Sequence, residues 1–342
     1  MGNPDIFTAA RDGQLAVLPA TALTAEALLK PNVSGNTPLH VAAKYGSLDQ
    51  VPPALLTAEH LLRKNDAGYT PLHLAARHGH LPQIPPGLLT RENLLVRSNS
   101  GFTPLHQAAS GGALGQLPAG LINTELVLTR TDSGNTLLHE AAEQGTLDRF
   151  PAGFLTRETL GTTNASGETV LHVAVFNGHL DQVPRTLLTA KNLLTKTANH
   201  DTCLHAAAIA GHLDQIPSEV LTPDNLVLPS KSGHTPIHAA AEAGYLNQIP
   251  RDRLTLDLLI SRNDFGDTPL HAAAVEGHLR DIPREFLNRS TMMMRNYNGG
   301  TPIGAAIRYG HADQLPLEFI PKPPSAFEKF LYRLGVSRPP AG

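Results

Sequence analysis

A tetrapeptide that recurs at a constant interval constrains the fold of this chain more than any other feature. The sequence Thr-Pro-Leu-His, or a close variant, begins at residues 37, 70, 103, 136, 169, 202, 235, 268 and 301, so each copy lies 33 residues after the previous one. A block of this length is too short to bury a core alone. The period therefore predicts a solenoid, in which every block finds its core against its neighbours.

Glycines on either side of the tetrapeptide predict the two ends of a helix. In the first block Gly35 precedes Thr37 and Gly46 follows the motif, and later blocks keep this spacing, except that His200 replaces the first glycine of the sixth block. The threonine can cap the helix, the proline is tolerated in its first turn, and the second glycine supplies a left-handed stop. A pair of small residues between these ends, usually Ala-Ala, allows neighbouring helices to approach closely.

Prolines interrupt the second half of every block. They fall at residues 52, 85, 118, 151, 184, 217, 250, 283 and 316. Inside a helix each would cost about 3 kcal/mol by clashing with the carbonyl four residues earlier. We therefore predict a split element: a turn over 81–85, then a brief helix capped by Thr90 and anchored by Leu94 and Leu95. Equivalents of Leu94 should form a continuous buried ladder: Leu28, Leu61, Val127, Leu160, Leu193, Leu226, Leu259 and Met292.

These blocks resemble the ankyrin repeat. The resemblance covers roughly residues 4 to 316 and rests on the period, on Gly-x-Thr-Pro-Leu-His and on the Ala-Ala-x-x-Gly-His continuation. It implies an all-α fold, an ankyrin-like helical repeat solenoid of about ten units of 33 residues that includes a truncated N-terminal capping unit. The split second element departs from the family pattern of two antiparallel helices of similar length, which leaves the curvature of the solenoid open.

The end of the chain leaves the repeat. We predict a solenoid over 1–316, whose first unit (1–33) is the N-terminal cap, followed by a C-terminal capping helix and tail over 317–342. Ser325 and Glu328 predict a capping box in that helix. Its apolar face would contain Phe327, Phe330, Leu331 and Leu334. We favour capping over docking to a membrane or a partner, because a solenoid exposes an apolar end that has to be covered.

Composition narrows the classes of partner and compartment. The formal net charge is -3 with both signs interspersed, which argues against nucleic acid as a partner. Cys203 is the only cysteine, so no intramolecular disulfide can form, and a reducing, cytoplasmic location is expected. No apolar stretch approaches the ~20 residues that span a bilayer, so we expect no membrane association. The chain is expected to be a monomer.

Seventeen histidines raise the question of a metal site. Zinc binds nitrogen at about 2.0–2.1 Å, whereas packed helices lie about 8–10 Å apart, so equivalent histidines of different blocks cannot share an ion. The motif histidines are His40, His73, His106, His139, His172, His205, His238 and His271. We predict that they bond to neighbouring turns, and that a second row does likewise: His80, His179, His212, His278 and His311. One irregular cluster (His200, Asp201, Cys203, His205) matches no zinc spacing, so no metal or cofactor is expected.

The sequence favours a binding protein over an enzyme. It contains no Gly-rich phosphate loop, no Gly-x-Ser-x-Gly and no His-Glu-x-x-His. Catalysis needs one convergent site, whereas this chain distributes similar residues over an extended surface. We therefore predict a protein interaction scaffold or adaptor. The alternative is an enzyme, or an enzyme subunit, whose site forms only on association.

The resemblance implies that a partner protein contacts the turn tips and the inner helix face. The corresponding variable positions are Lys44, Tyr45, Tyr69, Arg77, His78 and Phe102 in early blocks, then Glu143, Glu168, Asp201, Glu242 and Asp267 in later ones. The early group is aromatic and basic and the later group is acidic. We hypothesise that Tyr45, Tyr69, Arg77 and Phe102 anchor the partner while the acidic stretch steers a basic segment of it. The alternative is that these are solvated tips without a partner.

Overall fold

The computed structural model describes residues 5–151 and 153–319, and these form an all-α solenoid of ten stacked units. We number the units from 0 to 9. Each contributes one first helix, which packs against the first helices of its neighbours. The first helices span Ile6–Arg11, Pro38–Tyr45, Pro71–Arg77, Pro104–Ser110, Leu137–Gln144, Val170–Phe176, Cys203–Ala210, Pro236–Ala243, Pro269–Glu276 and Pro302–Arg308. Within the described ranges the only β-type pairing is an isolated bridge between Thr163 and Thr169. The predicted fold class is confirmed.

The second half of each unit is split as the prolines predict. Two short 3-10 turns usually precede a helix of four or five residues, and in unit 2 these are Leu81–Gln83, Pro86–Leu88 and Arg91–Leu94. The Thr90 side chain accepts a hydrogen bond from the backbone N–H of Asn93, and Leu94 is fully buried. The short helices span Ala25–Leu29, Ala58–Leu61, Arg91–Leu94, Thr124–Val127, Arg157–Leu160, Ala190–Leu193, Pro223–Leu226, Leu256–Ile260 and Arg289–Met292.

Each of the ten described units contains at least one 3-10 turn. They span Leu15–Val17, Ala20–Ala22, Leu48–Gln50, Pro53–Leu55, Leu81–Gln83, Pro86–Leu88, Leu114–Gln116, Leu147–Arg149, Leu180–Gln182, Arg185–Leu187, Leu213–Gln215, Leu246–Gln248, Leu279–Asp281, Arg284–Phe286, Ala312–Gln314 and Leu317–Phe319. The predicted ladder of Leu94 equivalents is buried throughout, with no member more than 1% exposed. Together with the alanine pairs of the first helices, this ladder makes a core that is continuous from unit to unit.

The motif histidine joins each unit to the next. In unit 2 the backbone N–H of Thr70 donates to Nδ1 of His73 at 3.2 Å, which places the ring proton on Nε2. That Nε2–H donates to the carbonyl of Phe102 in unit 3 at 3.1 Å. The other motif histidines repeat this bridge, except that His106 bonds to the carbonyl of Thr129. The prediction of hydrogen bonds to turn backbone is confirmed for this row.

The side chains of the second histidine row pack against glycines and do not form hydrogen bonds to the described turn backbone. The prediction of such hydrogen bonds was therefore wrong. In the described residues only His278 of this row has a polar side-chain contact, at 3.5 Å from Asp281. The rings lie against the stop glycine of the preceding unit. A Cβ atom on Gly145 would come within 2.7 Å of Cε1 of His179. The ring therefore fills space that only a glycine leaves free, which hydrogen-bond reasoning could not reveal.

A glutamine in the first 3-10 turn makes a second bridge between units, to which sequence analysis assigned no role. Oε1 of Gln182 accepts from the backbone N–H of Leu147 at 2.9 Å, and its Nε2 donates to the carbonyl of Gly145 at 3.0 Å. The same pair of bonds recurs at Gln50, Gln83, Gln215 and Gln248. Units 4 and 8 have Arg149 and Asp281 at this position and lack the bridge. Gln314 makes only the bond to the carbonyl of Gly277.

The first unit is a shortened version of the others. Its helix Ile6–Arg11 has six residues and is capped by Asp5, whose Oδ1 accepts from the backbone N–H of Phe7 at 2.9 Å. The helix packs against Pro38–Tyr45. The predicted division into 1–33, 1–316 and 317–342 stays a prediction, since the proposed capping box at Ser325 and Glu328 lies outside the described residues. No helix of the described ranges is long and apolar enough to cross a bilayer.

Acidification should destabilise the solenoid before carboxyl groups titrate. Burial lowers the pKa of His40, His73, His106, His139 and His238 to about 4, whereas unfolded histidine titrates near pH 6.5. The unfolded chain therefore binds more protons between these values. The stability from neutral rings is complete above about pH 6.5 and falls below it, by at most about 1.4 kcal/mol per pH unit per histidine. Calorimetry should show a melting temperature that drops from pH 6.5 to 5; a constant value would contradict this.

The contact between the stop glycine and the histidine ring can be tested with one methyl group. Gly145→Ala places a side chain at φ 69° and 2.7 Å from His179, so it should lower the free energy of unfolding by about 1–3 kcal/mol. Gly120→Ala is the control, because its backbone has a similar φ of 77° but no atom lies within 4 Å of the added carbon; it should lower the free energy of unfolding less than Gly145→Ala does. Urea denaturation measures both variants. Equal values would reject the packing explanation.

Candidate partner-binding surface

A groove runs along the first helices beneath the turn tips. Two cavities at its ends, of about 440 Å³ and 650 Å³, are lined by equivalent positions of different units. These positions are the tip residue before the motif threonine, the residue after the motif histidine, and the two residues after the alanine pair. Unit 1 contributes Asn36, Val41, Lys44 and Tyr45 to the smaller cavity. Unit 8 contributes Asp267, Ala272, Val275 and Glu276 to the larger one.

The tips are rigid because their backbones bond to one another. Each tip is closed by a hydrogen bond such as that from the N–H of Asn65 to the carbonyl of Tyr69 at 2.8 Å. The N–H of Asn99 in the next tip donates to the carbonyl of Ala67 at 3.1 Å. His200 is the one described non-glycine residue with a positive φ, 65°, where other units have glycine. The groove therefore has a fixed wall, and its side chains decide what it binds.

The basic and aromatic residues of the early units lie together at one end of the groove. Lys44 and Tyr45 are exposed, and the Lys44 ammonium lies 5.3 Å from the centroid of the Tyr45 ring. Arg77 is half-buried and donates to Oε1 of Gln107 at 3.4 Å. Within the described part of the chain, no carboxylate lies within 4 Å of Lys44 or Arg77. Partial burial, then Lys44 and Arg77, lower the pKa of His78.

Two predicted anchors are partly occupied by packing inside the protein. The rings of Tyr69 and Phe102 are half-buried, with centroids 6.4 Å apart. Tyr69 meets the motif ring of His73 edge-on at 5.4 Å, and Phe102 meets His106 at 6.1 Å. Both aromatic residues therefore contribute to the tips, and only their outer edges are open to a partner.

The predicted acidic residues are distributed one per unit, from unit 4 to unit 8. Glu143 and Glu242 are exposed at the ends of first helices, and Oε2 of Glu242 lies 3.2 Å from Nε2 of His234. Glu168 and Asp267 are half-buried tip residues that accept hydrogen bonds from asparagine side chains, at 2.9 Å and 2.7 Å. Asp201 is a half-buried tip residue between them. These carboxylates make one half of the groove negative without converging on a single point.

Two exposed apolar side chains in the middle of the groove were missed. Phe176 and Ile209 are 52% and 54% exposed and occupy equivalent positions on adjacent first helices, the position of Lys44 in unit 1. Val173 and Ala206 lie beside them, half-buried. The sequence does contain a signal for them. When this position is compared between units, two consecutive units have a large apolar residue, whereas most of the others have a charged residue.

The same position in unit 0 holds Arg11, which was also missed because that unit lacks the motif. Its guanidinium pairs with Asp12 at 2.8 Å. Arg11 extends the basic end of the groove to three consecutive units, with Lys44 and Arg77. A fourth missed residue is Glu140, which is 4% exposed, accepts from Asn135 at 3.0 Å and has a pKa that burial raises.

The side chains of the irregular cluster in unit 6 (His200, Asp201, Cys203 and His205) do not form one site. Cys203 is fully buried, and burial raises the pKa of its thiol, so the thiolate needed for redox chemistry or metal binding is disfavoured. His200 is exposed on the outer turn of the tip, and His205 bonds to the carbonyl of His234. Across the described ranges, no three histidine, cysteine or acidic side chains are placed to hold a metal ion.

Comparison with known proteins agrees with the repeat geometry. A family profile described as ankyrin repeats (3 copies) matches residues 6–85, 138–217 and 171–250. No curated protein matches the chain. The matched ranges cover more than half of the sequence, and they include units whose first helices, tips and stop glycines have the geometry described above. The chain therefore belongs to the ankyrin repeat family.

Proposed function

We propose that this protein is an interaction scaffold or adaptor that binds a partner protein in the groove along its first helices. Ankyrin repeats generally mediate interactions between proteins. The observation that supports the proposal most is the difference in variability between the buried positions and the groove positions. The buried positions are nearly the same in every unit, whereas the groove positions change from basic and aromatic in the early units to acidic with an apolar centre in units 4 to 8. Such an exposed, ordered sequence of side chains suits recognition of an extended surface.

The proposed contacts at the basic end are Lys44, Tyr45, Arg77 and His78, with the edges of Tyr69 and Phe102. Tyrosine and arginine are enriched where binding energy concentrates. The proposed acidic contacts are Glu143, Glu168, Asp201, Glu242 and Asp267. Because these two groups lie on different units, they would meet different parts of one partner, and complementary charge would set its direction along the groove.

A scaffold is favoured over an enzyme by the arrangement of the groove. Cavities of about 430–650 Å³ are spread over separate places on the described surface, and the predicted acidic contacts are distributed one per unit from unit 4 to unit 8. An active site would instead concentrate such groups in one pocket. The single cysteine and its burial support a cytoplasmic location, and we propose that the chain acts as a monomer.

Replacing Lys44 and Tyr45 by alanine should reduce partner binding without loss of stability. Both side chains are exposed, so the melting temperature should stay close to that of the wild type. The measurement is affinity capture from the native source with the wild-type chain and with the variant, followed by mass spectrometry of the retained proteins. A protein retained by the wild type should be depleted at least about tenfold on the variant.

The matched control replaces Lys196 and Tyr297 by alanine. Both residues are exposed, and neither occupies a groove position. This variant should retain the same proteins as the wild type. If the wild type, the groove variant and the control capture the same proteins in equal amounts, the basic end is not part of the binding surface.

A further inference from the structure

The middle of the groove has a composition that points to one class of ligand segment. Phe176 and Ile209 stand on adjacent first helices and are each more than half exposed. Contiguous exposed apolar side chains can mark a binding site for another protein. Val173 and Ala206, half-buried at the position after the motif histidine, continue the apolar floor between these two residues and the tips.

Carboxylates surround this floor. Glu168 and Asp201 are the tip residues of the same two units, and Glu143 and Glu242 occupy the position of Phe176 in the units on either side. We name the floor and these four residues the central groove. Asp267 lines one cavity together with Glu242, Ala272 and Val275, which shows that tip and helix positions face the same space. Equivalence between units then places the carboxylates at the border of the apolar floor.

Of the basic residues in the tips beside this floor, only His234 occupies a groove position. His200 and Lys231 are exposed, and each is inside a closed turn, formed by bonds from Thr197 to Asp201 and from Ser230 to His234. They are therefore on the outer curve of the tips. Nε2 of His234 lies 3.2 Å from Oε2 of Glu242. In the described chain the other three carboxylates have no basic side chain within 4 Å.

We propose that the central groove binds an amphipathic segment of a partner protein that carries lysine or arginine beside apolar side chains. This inference rests on the proposed function and specifies its ligand. An apolar centre with a charged border is the arrangement of residues found in protein interfaces, and charge complementarity selects the basic partner. The four units extend over about 24–30 Å at usual helix spacing, which is the length of a helix of about 16–20 residues.

The binding test uses three labelled synthetic peptides of about 20 residues with the full chain. One has leucines at helical spacing and lysines elsewhere, the second keeps the leucines but has glutamates, and the third is a scrambled form of the first. Fluorescence anisotropy should show that the first binds at least about tenfold more tightly than the other two. Binding should weaken as salt rises from about 0.05 M to 0.3 M.

Variants of the chain then locate the bound peptide. Phe176→Ala should weaken binding of the first peptide at least about tenfold, and the pair Glu143→Gln and Glu242→Gln should weaken it and reduce its dependence on salt. The controls are Phe265→Ala, a 61% exposed residue on a tip turn, and Glu92→Gln on a short helix. Both should leave binding unchanged. Equal binding of the patterned and scrambled peptides, or equal loss in groove and control variants, would overturn the proposal.

Another outcome concerns the chain's own residues 320–342, which include Lys322, Lys329, Arg333 and Arg338 but only one acidic residue, Glu328. If the wild type binds no peptide, whereas a chain with Lys329→Glu and Arg333→Glu does, the groove is occupied by that segment and the partner assignment is wrong. Failure of the inference is distinguishable from failure of the proposed function. Depletion of a captured protein by the Lys44 and Tyr45 variant would still support a scaffold, because those residues lie outside the central groove.

Discussion

The hydrogen bond from a motif histidine to the tip of the next unit is the interaction on which the solenoid depends. The ring is buried, accepts a hydrogen bond from its own capping threonine, and donates to a carbonyl about 29 residues ahead, as from His40 to Tyr69. A single side chain therefore begins a helix and fixes the position of the following tip. The bond accepted at Nδ1 requires a neutral ring, which burial also favours by lowering the pKa of His40. The bond to the carbonyl of Tyr69 acts in the other direction and raises this pKa, but burial has the larger effect.

This arrangement separates stability from recognition. No partner needs to reach the positions that stabilise the fold. These are the bridging histidines, the glutamines of the 3-10 turns and the leucine ladder. The groove positions carry little of the core, so they can change from unit to unit at small cost in folding free energy. Tyr69 and Phe102 are exceptions, since each ring packs against a motif histidine and also presents an edge to the groove. A surface of this kind can become specific for a partner without altering its scaffold.

Much of the fold could be predicted because its information is local and repeated. Thr90 as a cap, Leu94 as a core residue and the split at the prolines follow from short-range rules, and the structure agrees with each of them. The second histidine row was wrong because the contact of His179 with Gly145 joins atoms 34 residues apart and depends on packing, not on hydrogen-bond capacity. Phe176 and Ile209 were missed because an apolar residue on a helix of a single unit resembles a core residue, and only comparison of this position between units distinguishes it.

The sequence by itself determined the period, the position of the helices and the family. A motif repeated every 33 residues can bury its apolar residues only by stacking each unit against its neighbours. Only the tertiary structure decided which of the remaining residues share the groove. Residues such as Glu168, Phe176 and Glu242 are far apart or unremarkable along the chain, and they become neighbours through the stacking of whole units. Exposure is a property of that stacking, so no local pattern can supply it.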